Sequence, residues 1–249
     1  MAYNDKYWVD KSARAKIAKE HTKQMQEKYA DEINECVERS RIYDNSNTSL
    51  KVSENIPTVI VDDIDSVGAI FKYGNKKTCV LNFSSYKNPG GMFIKGSKAQ
   101  EECLCRRSNL YPVLKSFVYP LPKISTIYTP GISVIKDNKY NLYGIPYKVN
   151  VLSAAMCKLH EGDVFTKEHC LLAKQKIEHL LKTALHFNQR KLVLGAWGCG
   201  AYHCPPDTIA KIFKIVLDDP MFKNQFEEIC FAILDWQGKN YQAFSKVFK

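Results

Sequence analysis

The stretch NPGGMFIKGSKAQEECLCRRSNLYPVL (88–114) holds two features able to do chemistry. Gly90 and Gly91 follow Pro89, so the chain offers bare backbone where a bound group would approach. Glu101 and Glu102 are adjacent and follow Gln100, on what reads as the opening turn of a helix. A glycosidase normally sets two carboxyl groups facing each other across the bond, roughly 5–9 Å apart. Neighbours on a helix point about 100° apart and cannot flank one bond in that way. Glycoside chemistry here would give one glutamate the acid–base work and the other the sugar, with a water or a substrate phosphate assisting. Without catalysis, first-turn carboxylates still favour the helix dipole.

A second glycine cluster lies in KLVLGAWGCGAY (191–202). Both clusters follow an apolar, strand-like run, VLNF in the first case and KLVL in the second, and both precede a helix-like segment. In open α/β sheets ligands bind beyond the carboxyl ends of the strands. Glycines there let backbone N–H groups reach phosphate oxygens, and the following helix adds its positive end. Two such loops predict a grip on a diphosphate. Neither matches G-x-x-x-x-G-K-[ST] or G-x-G-x-x-G, which disfavours a P-loop NTPase and a dinucleotide fingerprint.

The elements that must hold these loops are legible as alternating strands and helices. PTVIVDD (57–63), KTCVLNF (77–83), YKVNVLSAA (147–155), KLVL and FEEICFAILD (226–235) read as strands, and STIYTPGISVIKD (125–137) as two strands around a Pro-Gly turn. Residues 166–187 and 207–217 read as helices, the latter with Asp207 as N-cap, and QAFSKVF as a closing helix. Residues 10–42 are helical in character, with Ile17, Met25, Tyr29 and Ile33 as a packing stripe. The loop 43–57, rich in Asn and Ser, marks a boundary. The pattern predicts a three-layer α/β/α domain with its sheet buried on both faces.

The chain has 249 residues, enough for one large domain, and a formal net charge of +10, which suits anionic partners, phosphate-rich ligands and nucleic acid among them. The N-terminus has no apolar h-region and no run is long enough for a membrane helix, so a cytoplasmic location is expected, or a nuclear one in a eukaryote, with no membrane partner. Nine cysteines contain no C-x-x-C pair. Neither a disulfide framework nor a metal is expected, although Cys199, His203 and Cys204 lie close in sequence.

NPGGMFIKGSKAQEECLCRRSNLYP resembles the motif of the microbial-type poly(ADP-ribose) glycohydrolases, a glycine loop followed by Gln-Glu-Glu. YTPGISVIKD, VLGAWGCGAYHCPPDTIAKIF and FAILDWQGKNYQAF resemble later blocks of that family in the same order. The resemblance implies a macrodomain with a mixed central sheet (51–249) and an N-terminal helical accessory segment packed on it (1–50). It implies hydrolysis of ribose–ribose O-glycosidic bonds from chain ends, releasing ADP-ribose, with no cofactor. Poly(ADP-ribose) or an ADP-ribosylated protein would be the partner. A binder of ADP-ribose without turnover, and a hydrolase of mono-ADP-ribose on protein or nucleic acid, stay open beside it. Glu102 matches the catalytic acid, and Glu101 the residue that orients the ribose. Asn82 and Asn88 would be polar contacts at the ribose end, and Gln100 would brace the loop. Gly90, Gly91, Met92 and Phe93 would form the first ligand loop, and Gly198, Cys199, Gly200, Ala201 and Tyr202 the second, with Tyr202 packing on the ligand. Two departures stand out. Met92 replaces the family's usual third glycine, where a side chain narrows the pocket or demands a different backbone angle. SAAMCKLH replaces an Ala-Pro-Asn-like run.

Overall fold

The computed structural model describes residues 10–44, 56–74, 77–137, 140–235 and 238–249. The expected division between residues 50 and 51 lies outside them. The N-terminal stretch forms α1 (Lys11–Lys28) and α2 (Ala30–Arg39). The Asp10 side chain caps α1 by accepting the N–H groups of Ser12 and Ala13. A short strand β1 (Arg41–Tyr43) follows.

Six further strands share one sheet with it: β2 (Thr58–Asp62), β3 (Thr78–Phe83), β4 (Thr126–Lys136), β5 (Leu142–Ala154), β6 (Lys191–Leu194) and β7 (Glu228–Ala232). Their order is β1-β4-β5-β3-β6-β7-β2. The β5, β3, β6, β7 and β2 strands run parallel, and β4 joins β1 and β5 antiparallel. The sheet is therefore mixed, with β3 and β6 at its centre, where continuous apolar runs bury both faces.

Helices cover the two faces separately. One face packs against α6 (Lys167–His186), α7 (Pro206–Asp218) and α8 (Lys239–Phe248). The other packs against α1, α2, α3 (Ser66–Tyr73) and two short helices, α4 (Gln100–Cys105) and α5 (Leu110–Leu114). This is the three-layer arrangement that the alternation predicts.

Three local expectations are corrected. Residues 125–137 form one strand rather than two, because Gly131, at φ +75°, absorbs the Pro-Gly pair as an irregularity between Thr129 and Ile132. Asp207 lies in the first turn of α7 instead of capping it; Pro205 takes the cap position and Pro206 the first helical one. The buried face of α1 is Arg14, Ala18, His21 and Met25, while Ile17 and Tyr29 are only half-buried. Among the described residues no helix is long and apolar enough to cross a membrane.

Candidate active site

Asn82, the penultimate residue of β3, is wholly buried, and the carboxyl end of this strand is where the first loop begins. Gln100 ties the start of α4 to that strand end. Its side-chain oxygen accepts the Phe83 N–H at 2.8 Å, and its amide donates to Leu81 O at 2.8 Å and Ser66 Oγ at 3.0 Å. This brace fixes the first turn of α4, and with it the two glutamates, against the sheet.

The glutamates then diverge. Glu101 is held from several sides. Ser85 N–H donates to Oε2 at 2.8 Å, while Asn82 Nδ2 and Ser84 Oγ approach Oε1 at 3.1 and 3.2 Å. Asn82 Nδ2 also reaches Ser153 Oγ at 3.1 Å, linking the pair to the end of β5. Glu102 is held at one oxygen only. Its Oε1 accepts the Met92 N–H at 3.0 Å, and its buried Oε2 has no partner among the described residues. Adjacent carboxyl groups thus present one group locked by its surroundings and one with an oxygen left for a reacting group.

Burial first, and the Glu102 charge among the lesser causes, push the Glu101 carboxyl up to about 8, against the hydrogen bonds of Ser85, Asn82 and Ser84, which favour the ionised form. A carboxyl raised on folding binds its proton more tightly in the native state. Its contribution to stability is complete below its ordinary value of 4.5 and is lost as pH rises through about 8. The melting temperature of the natural protein should therefore fall relative to that of Glu101→Gln between about pH 5 and pH 8, and the difference should level off above that. Parallel thermal melts across this range check the expectation; a difference independent of pH would contradict it.

The first loop lies directly against the carboxylates. Gly91 has φ +60°, and a Cβ there would stand 2.5 Å from Glu102 Oε1 and 2.9 Å from Glu101 Oε2. Gly90, at φ +65°, backs onto Tyr111 instead. Met92 has φ −109°, a backbone angle open to any residue, and its side chain is 39% exposed. The substitution of methionine for glycine therefore imposes no left-handed strain. What the site takes from this position is the N–H. Met92→Gly should give no gain in turnover and should lower stability by about 0.5–1 kcal/mol through added backbone freedom. Steady-state rates and thermal melts check this, and a gain of about tenfold, worth ~1.4 kcal/mol, would mean that the side chain obstructs the pocket.

Phe93 is turned inward. It is 1% exposed and packs on Tyr111 at 4.8 Å between centroids, and its N–H is taken by Gly90 O, so it supports the loop from below. Asn88 is exposed and closes the loop through its backbone, donating to Ser85 Oγ at 3.3 Å and accepting from Gly91 N–H at 3.1 Å.

The second loop leaves β6 and meets the segment that follows β5. A Cβ on Gly198, at φ +86°, would stand 2.6 Å from Met156 Cγ, and Leu159 N–H donates to Tyr202 O at 3.0 Å. Thus the departing SAAMCKLH segment buttresses this loop. Tyr202 reaches the first loop: its phenol is pushed up by burial and then by the Glu101 charge, with Ser85 as a hydrogen-bonding neighbour. Cys199 is half-buried, while Gly200 and Ala201 are exposed at the rim. The fold therefore gathers Asn82, Gly91, Met92, Gln100, Glu101, Glu102 and Tyr202, and leaves Asn88, Gly200 and Ala201 at the edge.

Four residues of the site escaped the sequence reading: Ser84, Ser85, Ser153 and Tyr119. The Ser-Ser pair directly after β3 was the available signal, since hydroxyls at a strand end can reach a neighbouring carboxylate. Tyr119 had none. Its phenol is raised by burial and then by the Glu101 charge, with Ser84 as a neighbour that lowers it. Among the described residues no cluster of three or more His, Cys, Asp or Glu is placed to hold a metal ion.

The family model for the microbial-type PARG catalytic domain matches residues 11–137, just over half of the chain. Solved structures agree over a longer span. Poly(ADP-ribose) glycohydrolase from Thermomonospora curvata superposes with a TM-score of 0.85 at 27% identity, covering 95% of this chain and 100% of that one. The same enzyme bound to the inhibitor ADP-HPD gives 0.77 at 25% identity, covering 94% and 99%. Poly(ADP-ribose) glycohydrolase from Deinococcus radiodurans in complex with ADP-ribose gives 0.72 at 25% identity, covering 86% and 96%. No curated protein matches the chain.

Proposed function

This chain belongs to the microbial-type poly(ADP-ribose) glycohydrolases, and on that premise we propose how its residues divide the reaction. It is a glycosidase that hydrolyses the ribose–ribose O-glycosidic bond of poly(ADP-ribose) and releases ADP-ribose. The observation that carries the assignment of roles is the asymmetry of the two carboxyl groups. Glu102, with Oε1 fixed by Met92 N–H and Oε2 unpartnered, is the general acid. It protonates the leaving ribose oxygen, and the resulting carboxylate then takes a proton from the attacking water. Glu101, held by Ser84, Ser85 and Asn82, keeps its geometry throughout and orients the ribose hydroxyls. Gly91 brings bare backbone up to both groups. The backbone at 90–92 and the loop 198–202 grip the diphosphate from two sides, with Tyr202 packing on the distal sugar.

We propose that cleavage proceeds mainly from chain ends. Polymer of uniform length, sampled during partial digestion, tests this. Terminal cleavage yields ADP-ribose from the first time points and chains that shorten gradually. Mid-length fragments appearing before free ADP-ribose would show internal cutting. Calorimetry tests the diphosphate grip separately: ADP-ribose should bind one-to-one and more tightly than AMP, and equal affinities would remove the grip from the account.

A further inference from the structure

Helix α1 turns an unexpected face to the protein. Of its four buried side chains only Met25 is large and apolar, while Arg14 and His21 are polar groups that are costly to bury without partners. A helix that served only as packing would bury an apolar stripe, and Ile17 on this helix is left half-buried instead. The two polar groups each have a defined target. Arg14 Nε donates to Gly96 O at 2.7 Å. Gly96, at φ +81°, lies so close to α1 that a Cβ would come within 2.1 Å of Lys11 O. His21 Nε2 is 2.8 Å from Ser108 O, and Lys136 Nζ is 3.2 Å from its Nδ1. With the ammonium donating to Nδ1, Nε2 carries the hydrogen and donates to Ser108 O. Burial lowers the imidazole to about 4, so it stays neutral. Its ring edge faces Phe93 at 6.4 Å.

These contacts fall on either side of the segment that carries both glutamates. Upstream, the turn 92–96 is closed by Lys95 and Ser97 N–H groups donating to Met92 O, and Met92 N–H holds Glu102 Oε1. Downstream, Ser108 lies three residues beyond the end of α4. We infer that Arg14 and His21 are positioning residues for hydrolysis, and that α1 is a clamp which sets the Met92 N–H against Glu102 by anchoring Gly96 on one side and Ser108 on the other. This rests on the reading of Glu102 as the general acid. Neither residue touches the carboxylates; both act through the backbone that does.

The test compares Arg14→Ala, Arg14→Lys and His21→Ala in the full chain, with Glu102→Gln as reference. Turnover on polymer, ADP-ribose stoichiometry and affinity, and melting temperature are measured on each. A small misplacement of a catalytic group costs on the order of 10²-fold, so Arg14→Ala and His21→Ala should lose about 10- to 100-fold in kcat. ADP-ribose should still bind one-to-one with unchanged affinity. Arg14→Lys, whose ammonium can reach Gly96 O, should recover part of the rate. Full kcat in Arg14→Ala and His21→Ala would overturn the clamp. So would a loss that merely tracks falling stoichiometry, because that is what a purely structural helix predicts. If Arg14→Ala does not fold, Arg14→Lys against His21→Ala carries the same comparison. Glu102→Gln separates the two levels. Its retention of rate sinks the assignment of the acid, whereas its inactivity beside fully active clamp variants sinks the clamp alone.

Discussion

Glu102→Gln is expected to lower hydrolysis of poly(ADP-ribose) by about 10²–10⁴-fold, the usual contribution of general acid–base catalysis. Glutamine keeps the size of the side chain, and its amide oxygen can still accept the Met92 N–H that now binds Oε1 at 3.0 Å. What disappears is the carboxyl proton, and with it the base that forms once the proton is given up. Because the turn at 92–96 and the second loop are unaltered, ADP-ribose should bind with nearly natural affinity. The expected signature is thus a fall in kcat with little change in binding, which places the lost interaction in the transition state. Single-turnover rates with enzyme in excess, set beside calorimetric affinities, measure the two separately. A parallel loss of both would assign Glu102 to substrate binding instead.

The second large effect is expected at Gly91, where glycine is required twice over. The backbone is in the left-handed region at φ +60°, and a Cβ would collide with Glu102 Oε1 at 2.5 Å and Glu101 Oε2 at 2.9 Å. Alanine carries a backbone cost of roughly 1–2 kcal/mol at such an angle. It must also push apart the two groups whose placement the reaction depends on, so a loss of about 10²-fold or more in kcat/KM is expected. Gly144→Ala, near the start of β5 and outside the site, is the control, because nothing lies within 4 Å of a Cβ there and its φ is not left-handed. It should leave the rate close to natural. Comparing kcat/KM for the two variants, with circular dichroism to confirm folding, decides the matter. Equal effects would show that glycine replacement in general, rather than contact with the carboxylates, sets the rate.

The parts of this site that were legible in the sequence share one property: their chemistry is local. Gln-Glu-Glu after a glycine loop, and a second glycine loop after an apolar strand, announce themselves through residue type and spacing. The alternation of strands and helices likewise conveyed the three layers. The illegible parts depend on contacts between distant segments. Tyr119 meets the Glu101 charge only because the chain folds back past the first loop. The polar face of α1 could not be read from periodicity, because a helix that buries arginine and histidine breaks the apolar pattern on which periodicity relies. Pro130–Gly131 has the composition of a turn, yet a single strand carries it as a bulge, since pairing with β1 and β5 on both sides outweighs the local preference. Met92 is the instructive case at the site itself. Sequence comparison marks a missing glycine, but the side chain points partly to solvent and the backbone adopts an ordinary angle, so the N–H that Glu102 needs is retained.

We propose that this chain cuts poly(ADP-ribose) with Glu102 as the acid. The most direct measurement incubates automodified poly(ADP-ribose) polymerase with the natural protein and with Glu102→Gln, and identifies the released products by mass. ADP-ribose is expected as the product of the natural protein and almost none from Glu102→Gln, while in calorimetry both proteins should bind ADP-ribose one-to-one. A natural protein that binds ADP-ribose but releases none from polymer would be a binder without turnover, and a Glu102→Gln variant that releases it at the natural rate would rule out Glu102 as the acid.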